Sequence, residues 1–539
     1  MAMHLTDEGL INKKEWEEHG VRLPEYDRAA MRRKTLEAPV WVHFGAGNIF
    51  RGFIAGLQQR LLDAGLTDRG IIAAETFDDE IIDRIYKPFD SLTLMVSLRP
   101  DGGTDREVIA SLAEGVKAGP SFPEDWDRLK AYFVSPSLQM ASYTITEKGY
   151  SLRDMKGELL GAAKADMENG PAQARHAMAV TAALMLHRYQ NGAAPMALVS
   201  MDNCSHNGEK LRASVLEIAE AWVKNGFADE GFLAWIGDEE KVSFPWSMID
   251  KITPRPAESI TRTLTDEGFA DMAPIQTAKH TYIAPFVNAE IPQYLVVEDA
   301  FPNGRPPLEE AGVYMTDRET VNKAERMKVT VCLNPIHTAL CTYDCMLGYE
   351  LFADGMKDPE IAELARQVGY VEGLPVVEDP GILSPKAFLD ELMSVRFPNP
   401  YLGDTSARIA TDVSQMTAIR FGETVKAYVA RDGDAKKLVA IPLAIAGWIR
   451  YLLAVDDEGK PMELSPDPMI PYMKEQLSGI EFNHPESLTG QLKGVLSNET
   501  LFGTDLYKAG IGELIEEMVR SEISGPGAVR KTLKEYLWK

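Results

Sequence analysis

The chain has 539 residues, of which 45% are hydrophobic and 25% are charged, a composition typical of a globular protein large enough for two domains. The formal net charge of −25 argues against nucleic acid or an anionic membrane as a partner, because both are themselves negatively charged. No apolar run reaches the length of a membrane span, and the first residues lack the pattern of a signal peptide. With four cysteines and no disulfide framework, the sequence predicts a cytoplasmic protein.

Three regions follow one another along the chain. Residues 1–36 are polar and charged and predict an N-terminal helical arm. Residues 37–295 alternate short apolar runs with helical patterns, which predicts an α/β domain with a mostly parallel, doubly wound sheet of the Rossmann type. Residues 296–539 carry mainly helical patterns, so we expect a second domain there that is largely α-helical.

A glycine-rich turn follows the first predicted strand of the Rossmann region and opens a helix. Gly45 permits a tight turn, and Gly47 lets the backbone approach a dinucleotide pyrophosphate at the amino terminus of the helix. Phe50 replaces the third glycine of the usual pattern. The turn predicts a dinucleotide-binding loop, and a purely structural turn is the alternative. The residues assigned to cofactor binding here are Gly45, Gly47, Asn48, Ile49, Phe50 and Arg51.

An acidic group stands at the end of the second predicted strand. Glu75, followed by Asp78 and Asp79, can accept hydrogen bonds from a ribose hydroxyl and would repel the 2′-phosphate of NADP. We therefore assign Glu75 to cofactor binding and expect NAD rather than NADP. Glu75 lies further from Gly45 than is usual, and a solvated loop of acids is the alternative interpretation.

A second group of reactive side chains lies in the helical region, between Glu325 and His337. It combines a carboxylate, the amine of Lys328, the amide of Asn334 and an imidazole around an apolar strip. Asn334 followed by Pro335 predicts the start of a helix, with Asn334 as its N-cap. Taken singly, these residues also suit structural roles as a helix cap, a core histidine and a surface lysine.

Several motifs in a fixed order carry a family resemblance over nearly the whole chain. They are GAGNIFRGF, SYTITEKGY, VSMDNCSHNG, FPWSMIDKITP, EDAFPNGRP and the segment that contains Lys328. In these motifs the sequence resembles the long-chain mannitol dehydrogenase family, which includes mannitol 2-dehydrogenases and fructuronate and tagaturonate reductases. The resemblance implies a metal-independent, NAD-dependent secondary-alcohol dehydrogenase with a Rossmann domain and a helical domain that binds substrate.

The resemblance also implies roles for individual side chains. Lys328 resembles the family's general base, which takes the alcohol proton and must be neutral to do so. Asn203 and Asn334 resemble the amide pair that donates hydrogen bonds to the developing alkoxide. His337 resembles the histidine that orients the substrate oxygen.

Three further residues match supporting positions of the family. Glu325 matches a carboxylate that controls proton exit to water, and Asp250 and Arg408 fall where the family places substrate-binding side chains. The segments GYVEGLPVVEDPGILSP and RFPNPYLGDT resemble D-mannonate oxidoreductases, which implies D-mannonate or D-fructuronate as substrate and Arg408 as the partner of its carboxylate. A polyol dehydrogenase, an epimerase that uses bound NAD transiently and a binding protein without turnover are the alternatives. We expect a monomer or a small homo-oligomer.

One departure from the family pattern concerns spacing. Five residues separate Lys328 from Asn334, where the family has four. On a continuous helix one extra residue rotates a side chain by roughly 100°, enough to point it elsewhere. Pro335 can absorb the insertion, because the residue before a proline avoids the helical region and a break near Asn334 restores the direction.

A second departure concerns the substrate. Met416 stands where the family commonly has a lysine that contacts substrate hydroxyls, and methionine donates no hydrogen bond. We expect either a different substrate or a replacement of the lysine by Arg420 or Lys426.

Zinc catalysis is the rival chemistry. His337, Cys341 and Cys345 recur every four residues and share one helix face, and zinc binds imidazole and thiolate. On a straight helix these residues span about 12 Å, too far for one tetrahedral ion. We therefore expect buried cysteines and no metal.

Overall fold

The computed structural model describes residues 2–154 and 156–538. The chain divides into two compact units, residues 1–322 and residues 323–539. The division predicted between residues 295 and 296 is too early, because it would cut a strand, Tyr294–Glu298, that pairs on one side with Ser247–Asp250 and on the other with Tyr314–Thr316. Residues 296–322 therefore belong to the first unit.

The first unit contains the strands of the described chain. They are β1 (Val21–Arg22), β2 (Trp41–Phe44), β3 (Ile71–Glu75), β4 (Thr93–Leu98), β5 (Thr104–Ile109), β6 (Leu112–Lys117), β7 (Met140–Tyr143), β8 (Met196–Ser200), β9 (Val242–Ser243), β10 (Ser247–Asp250), β11 (Ile275–Gln276), β12 (Tyr282–Ile283), β13 (Phe286–Glu290), β14 (Tyr294–Glu298) and β15 (Tyr314–Thr316). Isolated single-residue bridges apart, the described part of the second unit has no strand.

The main sheet has six strands in the order β6-β3-β2-β7-β8-β9, and every neighbouring pair is parallel. The first strand of the set, β2, lies in the middle, and the chain winds outward from it in both directions, which is the Rossmann order. Alternate residues of β2 enter different cores: Val42 and Phe44 join one apolar cluster, and Trp41 joins another. Both faces are covered, which explains the continuous apolar runs in the sequence and confirms the predicted doubly wound sheet.

Two smaller sheets extend the first unit. One has the order β1-β5-β4-β13 and the other the order β10-β14-β15, and β11 pairs with β12 in a hairpin. The predicted N-terminal arm is part of this unit, because β1 pairs in parallel with β5 and Met3 forms a bridge to Phe269. Trp16 is fully buried with its ring 5.5 Å from that of Phe269, which anchors the segment. The arm is thus helical only in part.

Helices cover the sheets of the first unit. They are α1 (Lys13–Glu18), α2 (Arg28–Glu37), α3 (Ala55–Asp63), α4 (Pro123–Val134), α5 (Thr146–Tyr150), α6 (Gly161–Asn169), α7 (Ala177–Gln190), α8 (Asn207–Lys224), α9 (Glu230–Gly237) and α10 (Glu258–Asp266), and α11 (Arg318–Arg326) runs across the division of the chain. Short 3₁₀ turns occupy Gly9–Ile11, Pro171–Gln173 and Leu308–Ala311, and π-helical turns occupy Phe50–Ile54 and Ile82–Tyr86.

The second unit is helical, as the sequence predicts. Its helices are α12 (Asn334–Leu347), α13 (Phe352–Gly355), α14 (Pro359–Arg366), α15 (Pro385–Glu391), α16 (Ser406–Ile409), α17 (Glu423–Asp432), α18 (Ala440–Tyr451), α19 (Ile470–Gln476), α20 (Leu492–Leu496), α21 (Glu499–Phe502), α22 (Gly512–Glu522) and α23 (Ala528–Leu537). Its π-helical turns are Met327–Cys332, Gln367–Gly373, Leu392–Arg396 and Ala418–Gly422, and its 3₁₀ turns are Leu374–Val376, Pro400–Leu402, Val413–Gln415 and Pro485–Ser487.

The core of the second unit forms around α18. Every residue of this helix is buried, as its sequence, apolar on nearly all sides apart from Arg450, requires, and α12 and α22 pack against it. The hydroxyl of Tyr343 on α12 donates a hydrogen bond of 2.7 Å to the carbonyl of Leu443 on α18. Among the helices of residues 2–154 and 156–538, none is both long and apolar enough to cross a membrane.

Candidate active site

The glycine turn leaves the carboxyl end of β2, where the neighbouring strand β7 also ends. Gly45 has a φ of +102°, and a Cβ there would collide with the carbonyl oxygen of Thr144, the residue after β7. A side chain at Gly47 would meet nothing within 4 Å, so the backbone faces open space there. A Cβ at Gly52 would come 2.7 Å from Val287 Cγ1 on β13. Gly52 therefore allows the close helix–strand packing that the third glycine usually provides.

The floor of the turn is built from aromatic and basic side chains. Phe50 is fully buried and stacks on His43 of β2, with ring centroids 3.9 Å apart. The buried guanidinium of Arg51 donates hydrogen bonds of 2.9 Å to the Asn48 side-chain oxygen and to the carbonyl of Ala284. Of the residues predicted to bind the cofactor, Phe50 and Arg51 thus have side chains that contact protein and shape the turn. All six residues of the turn stay predicted cofactor residues, and Gly47, Asn48 and Ile49 are partly accessible.

Glu75, at the end of β3, also serves the turn. Its buried carboxylate accepts backbone N–H hydrogen bonds from Ala46 at 2.7 Å, Phe77 at 2.7 Å and Asp78 at 3.1 Å. Burial raises the pKa of Glu75, although these three donors oppose the shift. The sequence predicts Glu75 as an acceptor for ribose, and the structure adds a role that spacing could not reveal, the clamping of the turn to β3.

Asn203 lies in the loop that follows β8, and neighbouring polar side chains hold that loop. The Asp202 carboxylate accepts hydrogen bonds from the backbone N–H of Ile145 at 2.8 Å and from the Tyr150 hydroxyl at 2.6 Å. Asn207, at the start of α8, exchanges hydrogen bonds of about 3 Å with Ser247 on β10. Asn203 itself is exposed. The motif VSMDNCSHNG therefore contains two positioning residues, Asp202 and Asn207, that its sequence alone did not indicate.

Asp250 is the last residue of β10 and is buried, with its backbone in register opposite Tyr294 of β14. The next residue, Lys251, donates hydrogen bonds of 2.8 Å to the carbonyl of Glu290 and 3.0 Å to the side chain of Gln293. These contacts fix the end of the strand, so the Asp250 carboxylate has a defined place within the first unit.

Lys328 lies in the second unit, on the π-helical turn Met327–Cys332, and its side chain is buried. A π turn holds one residue more than the α-helical turn it replaces. It therefore accounts for the extra residue between Lys328 and Asn334. The predicted helix start at Asn334 is confirmed, but Leu333 occupies the N-cap position, so the prediction of Asn334 as the cap is wrong. Glu325 is half-buried on α11.

His337, in the first turn of α12, lies between two aromatic rings. Its ring centroid is 4.8 Å from that of Phe352 and 5.0 Å from that of Phe397. The pKa of His337 is lowered to about 3, first by desolvation and then by the positive charges of three arginines: Arg396, Arg420 and Arg408. The imidazole is therefore neutral at physiological pH.

The three arginines differ in exposure. Arg408, predicted to bind substrate, is 67% exposed and forms an ion pair with Asp404. Arg396 is 2% exposed. Arg420 is half-buried, and its Nη1 donates a hydrogen bond of 2.6 Å to the hydroxyl of Thr338, the neighbour of His337. Nothing in the sequence singled out Arg396.

The cysteines of α12 behave as apolar residues. Cys341 is fully buried, and its thiol donates to the carbonyl of Thr338. Burial raises the pKa of the Cys341 thiol well above its usual value and that of Cys345 to about 12. Zinc binds thiolate, and these surroundings disfavour that form.

The order of the main sheet and its glycine turn define a Rossmann-type dinucleotide-binding unit, followed by a helical unit with a buried lysine. The family model of the mannitol dehydrogenase Rossmann domain matches residues 40–310, and that of the mannitol dehydrogenase C-terminal domain matches residues 320–521. The chain belongs to the mannitol dehydrogenase family, and the resemblance predicted from its motifs is confirmed. It is an oxidoreductase that acts at a secondary alcohol.

Proteins that are similar to this chain over nearly its full length also support its place in the mannitol dehydrogenase family. The chain is 52% identical over 538 residues to a D-mannonate oxidoreductase of Thermotoga maritima, with 99% of each chain covered. Its fold is similar to that of a D-sorbitol dehydrogenase, with a TM-score of 0.75, 26% identity, and 94% and 98% of the two chains covered. It is also similar to Pseudomonas fluorescens mannitol 2-dehydrogenase in a ternary complex with NAD and D-mannitol, with a TM-score of 0.70, 25% identity and both chains fully covered.

Proposed function

We propose that this protein is an NAD-dependent oxidoreductase that interconverts D-mannonate and D-fructuronate, with Lys328 as general base. The observation that carries the proposal is the burial of the Lys328 amine on its π-helical turn, in a unit whose other candidate base, His337, is a weak one. With its pKa lowered to about 3, His337 cannot take the proton of an alcohol efficiently at neutral pH. The buried amine of Lys328 is then the base that the family resemblance implies. The relative at 52% identity, named for D-mannonate, supports the substrate.

The glycine turn fits a dinucleotide. The open space beside Gly47 and the positive φ of Gly45 let backbone N–H groups at the start of the helix face an anion. The complex of mannitol 2-dehydrogenase with NAD supports NAD as the cofactor. When bound, NAD accepts a hydride from the alcohol carbon, and NADH returns it to the ketone.

Proton transfer falls to Lys328 and Glu325. In oxidation, neutral Lys328 takes the hydroxyl proton as the carbonyl forms, and in reduction the charged amine returns it. Lys328 is 1% exposed, so its amine is shielded from bulk water. Glu325 lies three residues earlier and is half-buried, which suits a carboxylate that passes the proton from the lysine toward solvent.

Hydrogen-bond donors orient the reacting oxygen. The resemblance assigns the amides of Asn334 and Asn203 to the developing alkoxide, where a fixed dipole stabilises charge without titrating. Neutral His337 has one N–H donor and one acceptor nitrogen, so it can hold the substrate oxygen in one direction. The resemblance also assigns Asp250 and Arg408 to the remaining polar groups of the substrate.

Absorbance at 340 nm tests the proposal. We expect NADH consumption with D-fructuronate and NAD reduction with D-mannonate, both reduced at least about a thousandfold in Lys328→Ala. Added primary amines should restore part of the lost rate, because a small amine can replace the missing base. Lys323→Ala, on the same helix as Glu325, is the control and should keep its activity.

Other outcomes would replace the proposal. Faster turnover of D-mannitol than of D-mannonate would identify a polyol dehydrogenase. Conversion of substrate without a net change in absorbance, by protein that purifies with bound cofactor, would identify an epimerase. An unchanged rate in Lys328→Ala would remove the lysine from its role as base.

A further inference from the structure

Three arginines of the second unit place positive charge near His337, and only one of them, Arg408, has an assigned role in substrate binding. Thr338, next to His337, accepts the hydrogen bond of Arg420 at 2.6 Å. Phe397, next to Arg396, has its ring 5.0 Å from the imidazole of His337. Two arginines without an assigned role are thus connected to the surroundings of His337, Arg420 by a hydrogen bond to Thr338 and Arg396 as the chain neighbour of Phe397.

The guanidinium of Arg420 stays charged in these surroundings. Burial lowers the pKa of Arg420 to about 10, which leaves the group protonated at neutral pH. The same arginines act on the imidazole, because Arg396 and Arg420 are the two largest charge contributions to the lowered pKa of His337. A neutral polyol offers nothing to balance such a charge, whereas a carboxylate does.

Arg420 lies close to Met416, the position at which the family commonly has a lysine that contacts substrate. The backbone N–H of Arg420 donates a hydrogen bond of 2.8 Å to the carbonyl of Met416, so the two residues are one helical turn apart. Lys426, the other candidate, is 46% exposed and pairs with Glu423. Of these two candidates, Arg420 is thus the less exposed cation and lies one helical turn from Met416.

We propose that Arg420, assisted by the charge of Arg396, binds the carboxylate of an acidic sugar and determines that this enzyme prefers sugar acids to polyols. Thr338 fixes one nitrogen of the guanidinium, and a planar guanidinium can present a second edge to a carboxylate in two parallel hydrogen bonds. Arg408 is less suited to the role, because it is largely exposed and paired with Asp404. The inference rests on the proposed function and names the specificity residue of the same site.

The test compares an acidic and a neutral substrate of the same carbon skeleton. kcat/KM for D-fructuronate and D-fructose is measured with NADH in the wild type, Arg420→Gln and Arg420→Lys, with Lys426→Gln as a control that removes a charge nearby. Arg420→Gln should lower kcat/KM for D-fructuronate by about 10- to 100-fold, the worth of one or two hydrogen bonds between charged groups, and leave D-fructose within about threefold. Arg420→Lys should recover part of the loss, and Lys426→Gln should resemble the wild type.

Equal losses on both substrates in Arg420→Gln would overturn the inference, because they would assign Arg420 to the support of His337. Calorimetric binding of D-mannonate and D-mannitol to the protein with NAD separates this inference from the proposed function. Suppose that the wild type shows no turnover, and that Arg420→Gln loses affinity for D-mannonate but not for D-mannitol. That result would support the carboxylate site and contradict the proposed reaction. If the wild type turns over D-fructuronate and Arg420→Gln binds D-mannonate as tightly as before, the reaction stands and the site fails.

Discussion

The carboxylate of Glu75 accepts a hydrogen bond of 2.7 Å from the backbone N–H of Ala46, the residue between the first two glycines of the cofactor turn. The acidic residue at the end of the second Rossmann strand is expected to accept a hydrogen bond from a ribose hydroxyl of the cofactor. In this protein it also holds the turn in place, with Phe77 and Asp78 as further donors. A single carboxylate therefore links the shape of the phosphate loop to the end of β3.

Glu75→Gln separates these two roles. The amide keeps one acceptor oxygen but turns an N–H₂ group toward backbone donors, so we expect a lower Tm and about tenfold weaker NADH binding. Binding of NADPH should weaken as well, because the turn itself is disturbed. Fluorescence titration with both cofactors measures this, with Asp79→Asn as the nearby control. Improved NADPH binding by Glu75→Gln would show instead that the carboxylate acts mainly by repelling the 2′-phosphate.

The two glycines of the turn should respond differently to alanine. At Gly45 a methyl group meets the Thr144 carbonyl and a positive φ, so we expect Gly45→Ala to destabilise the protein by at least about 1–3 kcal/mol. At Gly47 the methyl group meets nothing in the protein, so Gly47→Ala should keep the Tm and weaken NADH binding only. Thermal unfolding and NADH titration check the pair. An unchanged NADH affinity in Gly47→Ala would contradict the placement of the pyrophosphate beside this residue.

Much of the first unit could be predicted from its sequence, because a buried strand appears there as a short continuous run of apolar residues. The continuous apolar runs of β2 and β8 and the glycines between strand and helix predict a parallel sheet and its loop. The role of Gly52 was not evident, because it depends on contact with Val287, more than two hundred residues later in the chain. The boundary near residue 322 was missed for the same reason, since β14 and β15 are strands only through pairing with distant partners.

In the helical unit the sequence indicated the reactive residues but not the local helix geometry that positions them. The residue types between Glu325 and His337 indicate chemistry, and the helix start at Asn334 is correctly predicted. Periodicity did not reveal the π-helical turn at Lys328, because it assumes one helical pitch throughout. Arg396 gave no signal at all, since its place beside His337 depends on the packing of Phe397.

Deletion of Thr330 tests whether the π turn absorbs one inserted residue. If it does, the shortened segment should become α-helical, keep Lys328 and Asn334 on their present faces and lower Tm by no more than a few degrees. NADH oxidation should stay within about tenfold of the wild type. Thr330→Ala controls for the side-chain hydrogen bond to the Arg326 carbonyl. A loss as large as that of Lys328→Ala, with Thr330→Ala active, would show that the extra residue is needed.

Glu522 should make the stability of the second unit depend on pH. Its carboxyl oxygen lies 2.6 Å from the Tyr343 hydroxyl, within hydrogen-bond distance, and burial raises its pKa to about 8, although Tyr343 and Arg450 oppose the shift. Because the folded-state pKa lies above the unfolded value, the folded protein binds more protons between about pH 4.5 and pH 8, and the free energy of unfolding falls as pH rises through that window.

Glu522→Gln removes this titration while keeping a group that can form a hydrogen bond with the Tyr343 hydroxyl. Urea unfolding should show little difference from the wild type near pH 5 and a more stable variant near pH 8.5. Glu513→Gln, an exposed position on the same helix, should follow the wild type at every pH. If the free energies of unfolding of Glu522→Gln and the wild type differ by the same amount at every pH from about 5 to 8.5, Glu522 titrates outside that range.

The double variant Met416→Lys with Arg420→Gln moves the cation by one helical turn to the position where the family commonly carries a lysine. A lysine ammonium donates hydrogen bonds to hydroxyls without the planar fork that suits a carboxylate. We therefore expect the ratio of kcat/KM for D-fructuronate to that for D-fructose to fall by at least about tenfold relative to the wild type, mostly through loss on the acid. Met416→Lys alone should keep the acid preference, because Arg420 remains bonded to Thr338. A double variant that still prefers the acid would place the carboxylate on another cation, with Arg408 the first to examine.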